Sequence, residues 1–135
     1  TRSSFVSIAR KKTMKREFGP MARSRFYSDE KLDGCKDVLV EPLDMAIEYC
    51  GFVPEITSAY RSPEKNLSVG GVPSSSHCKG IAVDLKSPVC KLQREKLFWA
   101  LGLAGFRRVE SADLHIHADM DLDKVNPCFW EGKSK

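Results

Sequence analysis

The stretch that decides the fold is SSHCKGIAVD, residues 75–84, taken together with LHIHADM, residues 114–120. The end of the first stretch and the whole of the second alternate between apolar and other residues, which predicts two β-strands that each bury one face. On both strands the ionisable residues fall on the opposite face. These residues are Asp84, His115, His117 and Asp119. If the strands share a sheet in the same orientation, the four side chains project from one side of it.

Helical and strand-like patterns surround these two strands. Helices are predicted over about residues 35–50, 62–70 and 92–103, and further short strands over 55–59 and 106–109. In the first helix, Pro42 is expected near the first turn and Gly51 just after the last turn. The patterns predict an α+β fold in which a mostly antiparallel sheet carries helices on one face and a polar site on the other.

Charge divides the chain into two parts. Residues 1–25 contain eight Lys or Arg against the single acid Glu17, within a chain of 135 residues and net charge +4. We therefore expect a basic, disordered leader over residues 1–28 and one folded domain over residues 29–135. A basic leader can contact nucleic acid, but no basic patch interleaved with aromatic residues follows it, so nucleic acid is not an expected partner.

The distribution of apolar residues and cysteines bears on the cellular compartment. No apolar run is long enough to cross a membrane, and the first 25 residues lack the apolar centre of a signal peptide. The expectation is a protein made in the cytoplasm and not inserted into a membrane. Five cysteines at wide spacing favour reduced thiols over a disulfide framework. Cys78 adjoins His77, but neighbouring side chains point in different directions, which argues against a catalytic Cys–His pair.

Histidine and aspartate from separate segments are suited to binding zinc. His77 lies in the loop that leads into the first strand and can approach the face from which Asp84 and His117 project. Two nitrogens and one carboxylate oxygen fill three positions of a tetrahedral zinc ion and leave the fourth open for water, as in zinc hydrolases. Any one of these histidines alone is more often a surface or core residue with local hydrogen bonds, so it is their grouping that favours a metal site.

The segment 75–84 resembles the S-x-H-x-x-G-x-A-x-D signature of the zinc D-Ala-D-Ala carboxypeptidase family, which shares its fold with the hedgehog signalling domain. SAYRSP, residues 58–63, and HIHAD, residues 115–119, resemble two further segments of that family, so the resemblance covers about residues 36–121. It implies a hedgehog-like zinc fold and a bound Zn²⁺. The implied ligands are His77, Asp84 and His117.

The resemblance also implies roles for residues around the metal. Arg61 corresponds to an arginine that contacts the substrate carboxylate or the developing oxyanion, a task suited to its fixed fork of donors. Ser75 is expected near the substrate and in hydrogen bonds around the metal loop. His115 lines the site, assists the transition state or packs. Gly80 is expected to form a backbone turn that a side chain would obstruct.

One position departs from the family pattern. Many relatives place a catalytic carboxylate three residues before the last histidine, where this chain has Leu114. By alternation Leu114 is expected to face the core, so a substitute must come from a neighbouring residue. Asp113 is the first choice, reaching the metal through a bulge or turn at the start of the strand, and Glu110 is the second.

The function that the resemblance implies is that of a zinc metallopeptidase acting on peptidoglycan stem peptides, either as a D-Ala-D-Ala carboxypeptidase or as a murein endopeptidase. A monomeric, phage-type lytic enzyme is expected, acting on the bacterial cell wall once released. The alternative is a non-catalytic zinc-binding recognition module of the hedgehog-like fold, which the missing carboxylate at position 114 favours.

Overall fold

One β-sheet and three α-helices form the fold of residues 22–132, the part of the chain that this computed structural model describes. The helices are α1 (Asp37–Cys50), α2 (Pro63–Ser68) and α3 (Lys91–Leu103). The strands are β1 (Ile56–Ser58), β2 (Ala82–Lys86), β3 (Arg108–Ser111), β4 (His115–Asp119) and β5 (Cys128–Glu131). A single 3₁₀ turn, Ser76–Lys79, leads into β2. The predicted α+β class is confirmed.

The sheet has the strand order β1-β2-β4-β3-β5. All neighbouring strands are antiparallel except β3 and β5, which run parallel. The prediction of a mostly antiparallel sheet is therefore confirmed. The register places Asp84 opposite His117 and His117 opposite Glu110, so these three residues form one row across the sheet.

Helices α1 and α3 contact each other along the chain's apolar core. The core face of the sheet contributes Val83, Leu85, Val109, Ile116 and Ala118. From the helices come Leu39, Val40, Leu43, Ala46, Ile47, Leu97, Ala100 and Leu101. Burying each large aliphatic side chain stabilises the fold by roughly 1.5–3 kcal/mol, so this face anchors the sheet to the helices. No helix within residues 22–132 combines the length and apolar character needed to cross a bilayer.

Helix α1 begins at Asp37, within the predicted range, but the position of Pro42 in it differs from the prediction. Pro42 lies inside the helix rather than near its first turn. Its missing N–H deprives the carbonyl of Val38 of a helical partner, and Val38 lies on the exposed side of the helix. The end of the helix agrees with the prediction, because Gly51 adopts a left-handed conformation with φ 85° and donates its N–H to Ile47 O at 2.8 Å.

The folded part of the chain begins before the expected boundary at residue 29. Phe26 and Tyr27 are buried in the core, and the Ser24 hydroxyl accepts hydrogen bonds from both of their backbone N–H groups. Ser24 in turn donates to Asp44 on α1 at 2.5 Å. This segment has no helical or strand period, which is why its apolar residues gave no signal. The remainder of the expected leader, residues 1–21, lies outside the described residues, as do residues 133–135.

Two details of the sheet differ from expectation. Leu114 is 72% exposed, because it belongs to the turn between β3 and β4 and the strand alternation begins only at His115. Its predicted core orientation is wrong. Strand β5 was not predicted, because four residues at the edge of a sheet carry too short a pattern. It places Trp130 beside Glu110 in the sheet register.

Candidate metal centre

Three side chains converge on the face of the sheet opposite the helices. One ligand atom from each of His77, Asp84 and His117 lies within 4.8 Å of the other two. Asp84 Oδ1 is 3.3 Å from His77 Nε2 and 2.9 Å from His117 Nδ1. The fold thus brings together the three residues that the sequence assigned to a metal.

The sheet register accounts for two of the three positions. Asp84 on β2 and His117 on β4 are directly opposed, and directly opposed residues project from the same face with Cβ atoms about 5 Å apart. Their strand neighbours Val83, Leu85, Ile116 and Ala118 are buried on the other face. Packing of the core therefore fixes the direction of both ligand side chains.

The third position depends on the 3₁₀ turn that carries His77. The Ser75 hydroxyl accepts the backbone N–H of His77 at 3.3 Å, and the backbone N–H of Arg61 donates to His77 O at 3.2 Å. Gly80 ends the turn with φ 74°, and a Cβ at this position would overlap the carbonyl oxygen of Gly34. Only glycine satisfies both demands without strain, as predicted for this position.

Each histidine has a partner on the ring nitrogen that points away from the cluster. His77 Nδ1 lies 2.7 Å from the carbonyl oxygen of Ala59, which can only accept, so Nδ1 carries a proton and Nε2, which faces Asp84, is the nitrogen left for a metal ion. His117 Nε2 lies 2.7 Å from Asp119 Oδ2. Asp119 is buried and also accepts from Arg108 Nε at 3.3 Å. Such outer partners are characteristic of metal-binding histidines.

Strong electrostatic coupling joins Asp84 and His117. Burial disfavours the imidazolium, but the hydrogen bonds to Asp119 and Asp84 outweigh it and raise the pKa of His117 to about 9. Burial also disfavours the Asp84 carboxylate, yet hydrogen bonds from His117 and His77 hold its pKa well below the ordinary value. The cluster thus holds the Asp84 carboxylate between two imidazole rings, an arrangement in which a divalent cation can take the place of ring protons.

The donor set fits zinc. Ligands about 2.0–2.1 Å from a tetrahedral ion are about 3.3 Å apart, which is close to the separations around Asp84 Oδ1. Two imidazole nitrogens and one carboxylate oxygen suit zinc better than magnesium or calcium, which prefer oxygen. Three protein donors would leave one position of a tetrahedral zinc ion open for water or substrate.

Arg61 lies next to the metal loop. One of its terminal nitrogens donates to Asn66 Oδ1 at 3.3 Å, and the buried Asn66 amide is held in turn by the carbonyl of Val72 at 2.7 Å. Within residues 22–132 the Arg61 guanidinium forms no salt bridge, and its buried Nε has no hydrogen-bond partner. The guanidinium is therefore anchored on one side and has donor capacity left for an anionic group.

Ser75 belongs to the turn that carries His77, whereas His115 lies beside Glu110 outside the ligand cluster. The Ser75 hydroxyl is buried and caps the metal loop, which matches the expected hydrogen bonding and leaves its substrate contact a prediction. His115 is half-buried on the open face, with Nε2 3.9 Å from Glu110 Oε1. His115 therefore borders the row that contains His117 without joining the ligand cluster.

The two carboxylates proposed as substitutes at the site lie on opposite sides of the sheet. Glu110 is directly opposed to His117 and shares its face. Asp113 is exposed in the turn after β3 and lines a cavity with Arg94 of helix α3, on the helix-bearing side. The sheet register therefore favours Glu110, while the identity of the acid–base residue stays a prediction.

Three contributors to the site were missed in the sequence. The sequence placed Asp119 on the correct face of β4 but gave it no role. Its spacing of two residues from His117 could have indicated their contact, because residues two apart lie side by side on one face of a strand. Arg108 and Trp130 gave no signal, because they reach the site only through the pairing of β3 with β4 and β5.

A family model described as Peptidase M15 matches residues 48–119, just over half of the chain. The matched range includes the three clustered side chains, Arg61 and Glu110. No curated protein matches the chain.

Proposed function

From the premise that this chain belongs to the peptidase M15 family, we propose that it is a zinc-dependent peptidase that hydrolyses an amide bond in peptidoglycan stem peptides. The observation that carries the proposal is the convergence of His77 Nε2, His117 Nδ1 and Asp84 Oδ1, with an outer partner behind each histidine. These three residues would hold the zinc ion. When bound, zinc would polarise the scissile carbonyl and lower the pKa of a bound water molecule to about 7.

Glu110 is the proposed acid–base residue. It shares a row and a face with His117, so its carboxylate can reach a water molecule beside the metal ligands. Glu110 would take a proton from the attacking water as the new C–O bond forms. It would then deliver that proton to the leaving amine as the C–N bond breaks.

Arg61 is the proposed anchor for an anionic part of the substrate. Support comes from the buried Nε without a partner and from the absence of a salt bridge to any described carboxylate. A terminal carboxylate matches the planar fork of a guanidinium. A carboxypeptidase needs such a contact with every substrate, whereas an endopeptidase does not, so the effect of Arg61→Ala on each reaction separates the two activities.

The test is mass spectrometry of purified peptidoglycan from several wall types after incubation with the zinc-loaded full chain. A chelator-treated sample and the variant Asp84→Asn serve as controls. New stem-peptide fragments that require both zinc and Asp84 support the proposal, and their masses identify the bond. Their absence from every wall type overturns it.

The second candidate is a zinc-binding recognition module without turnover. Leu114, at the position where relatives carry a carboxylate, is the observation that favours it. Intact peptidoglycan together with stoichiometric bound zinc is the result expected for such a module. A phage-type lytic role and action on the cell wall after release remain part of the proposal and rest on the sequence resemblance alone.

A further inference from the structure

Strand β5 contacts the proposed acid–base residue directly. Trp130 is paired with Glu110 in the parallel register of β3 and β5, and its indole Nε1 donates to Glu110 Oε2 at 3.1 Å. Gly132 follows closely, and a Cβ at that position would overlap the same carboxylate. The Glu110 carboxylate is thus anchored through one oxygen in a space that only a glycine leaves open.

The Trp130 indole is itself held in place. The guanidinium carbon of Arg108 lies 5.0 Å from the centroid of the Trp130 ring, a cation–π contact. Arg108 also donates through Nε to Asp119 at 3.3 Å, and Asp119 is the outer partner of His117. One arginine therefore connects the tryptophan that holds Glu110 with the carboxylate that orients a metal ligand.

We propose that Trp130 and Gly132 position Glu110, fixing its carboxylate beside the metal ligands before substrate arrives. The proposal rests on the proposed function, and both residues lie beyond the part of the chain that matches the family. With Oε2 bound to the indole, Oε1 is the oxygen left for proton transfer. Within residues 22–132, Oε1 forms no hydrogen bond and lies 3.9 Å from His115 Nε2 on the open face.

The alternative role for Trp130 is packing. Trp130 is half-buried on the open side of the sheet and is not among the residues of the apolar core. Replacing it by phenylalanine keeps an aromatic ring for Arg108 and removes only the N–H. The Trp130→Phe variant is therefore expected to fold and to bind zinc as the wild type does.

The first test is a double-mutant cycle on the zinc-loaded full chain, with the peptidoglycan fragment that the wild type cleaves. Trp130→Phe is expected to lower kcat about tenfold with KM and zinc content unchanged, because a displaced catalytic group loses alignment. In the Glu110→Gln background the same change is expected to cost nothing further. Gly132→Ala should behave like Trp130→Phe. Equal losses in both backgrounds, or no loss in either, overturn the proposal.

The matched control is Trp99→Phe. Trp99 is an exposed tryptophan on α3, across the core from the site, and its replacement should leave kcat within about twofold of wild type.

A second readout does not depend on turnover. The chain has two tryptophans, so its ¹H–¹⁵N spectrum contains two indole signals, and Trp130→Phe assigns one of them. Glu110→Gln is expected to shift the Trp130 signal and leave that of Trp99 in place. Unmoved signals in a protein that cleaves peptidoglycan overturn the inference alone. Absence of wild-type cleavage overturns the proposed function, and the positioning role with it, whatever the indole signals show.

Discussion

Asp84 and His117 face each other across strands β2 and β4, with Asp84 Oδ1 2.9 Å from His117 Nδ1. This contact brings together a residue before the long helix α3 and one after it, on strands whose other faces are packed in the core. The site is therefore preorganised by the sheet, and substitutions in it should change chemistry more than folding.

Asp84→Asn is expected to lower zinc affinity by more than about a hundredfold, because the shared carboxylate between the two histidines is lost. Competition with a chromophoric chelator measures the affinity. Asp113→Asn, a change in an exposed turn, is the matched control and should bind zinc like the wild type. Equal affinity for both variants would mean that Asp84 is not a ligand.

Glu110→Gln is expected to lower kcat by about 10²–10⁴-fold with zinc content unchanged, since it removes the group proposed to move protons. Asp113→Asn should leave kcat within about twofold. Steady-state kinetics on the cleaved fragment measures both. A large loss of kcat in Asp113→Asn together with almost none in Glu110→Gln would identify Asp113 as the acid–base residue. The turn after β3 would then have to rearrange.

Asp119→Asn is expected to weaken zinc binding about tenfold, because the neutral amide holds the outer nitrogen of His117 less firmly than the carboxylate does. The Co²⁺-substituted variant should also show altered d–d absorption, which reports the ligand field directly. Unchanged affinity and spectrum would make Asp119 a partner of Arg108 only.

Gly80→Ala is expected to destabilise the fold by about 1–3 kcal/mol and to weaken zinc binding, because the new Cβ meets Gly34 O and moves the turn that carries His77. Gly70→Ala is the control. Gly70 has a similar φ of 76° but open space around a Cβ, so it bears the conformational cost alone. Thermal unfolding with and without zinc separates the two effects, and equal behaviour of the two variants would contradict the role of the close contact.

The metal-free protein is expected to lose stability as the pH rises from about 6.5 to about 9. The pKa of His117 is raised from 6.5 to about 9 on folding. The protonated ring therefore contributes its full stabilisation of the fold below pH 6.5, and this stabilisation is lost above about pH 9. The pKa of Asp84 is lowered on folding, so its carboxylate stabilises the fold at pH values above its ordinary pKa of 3.8. This stabilisation is lost as the pH falls below that value. Thermal unfolding across this range measures the effect, and a metal-free His117→Gln variant should lack the decline.

Much of the site could be predicted because its determinants are local in sequence. Alternation in β2 and β4 placed Asp84, His117 and Asp119 on one face, and Gly51 marked the end of helix α1 correctly. The order of strands could not be predicted, since pairing depends on contacts between distant segments. That order favours Glu110 over Asp113 as the proposed acid–base residue, and it is why Trp130 was missed.

The shortness of strand β1 has a consequence for self-association. At three residues, Ile56–Ser58 forms one border of the sheet and presents few free backbone groups to another chain. Long, flat borders template aggregation, whereas short ones resist it. The open polar face can thus remain accessible to the polymeric substrate proposed above without this border of the sheet acting as a seed for fibres.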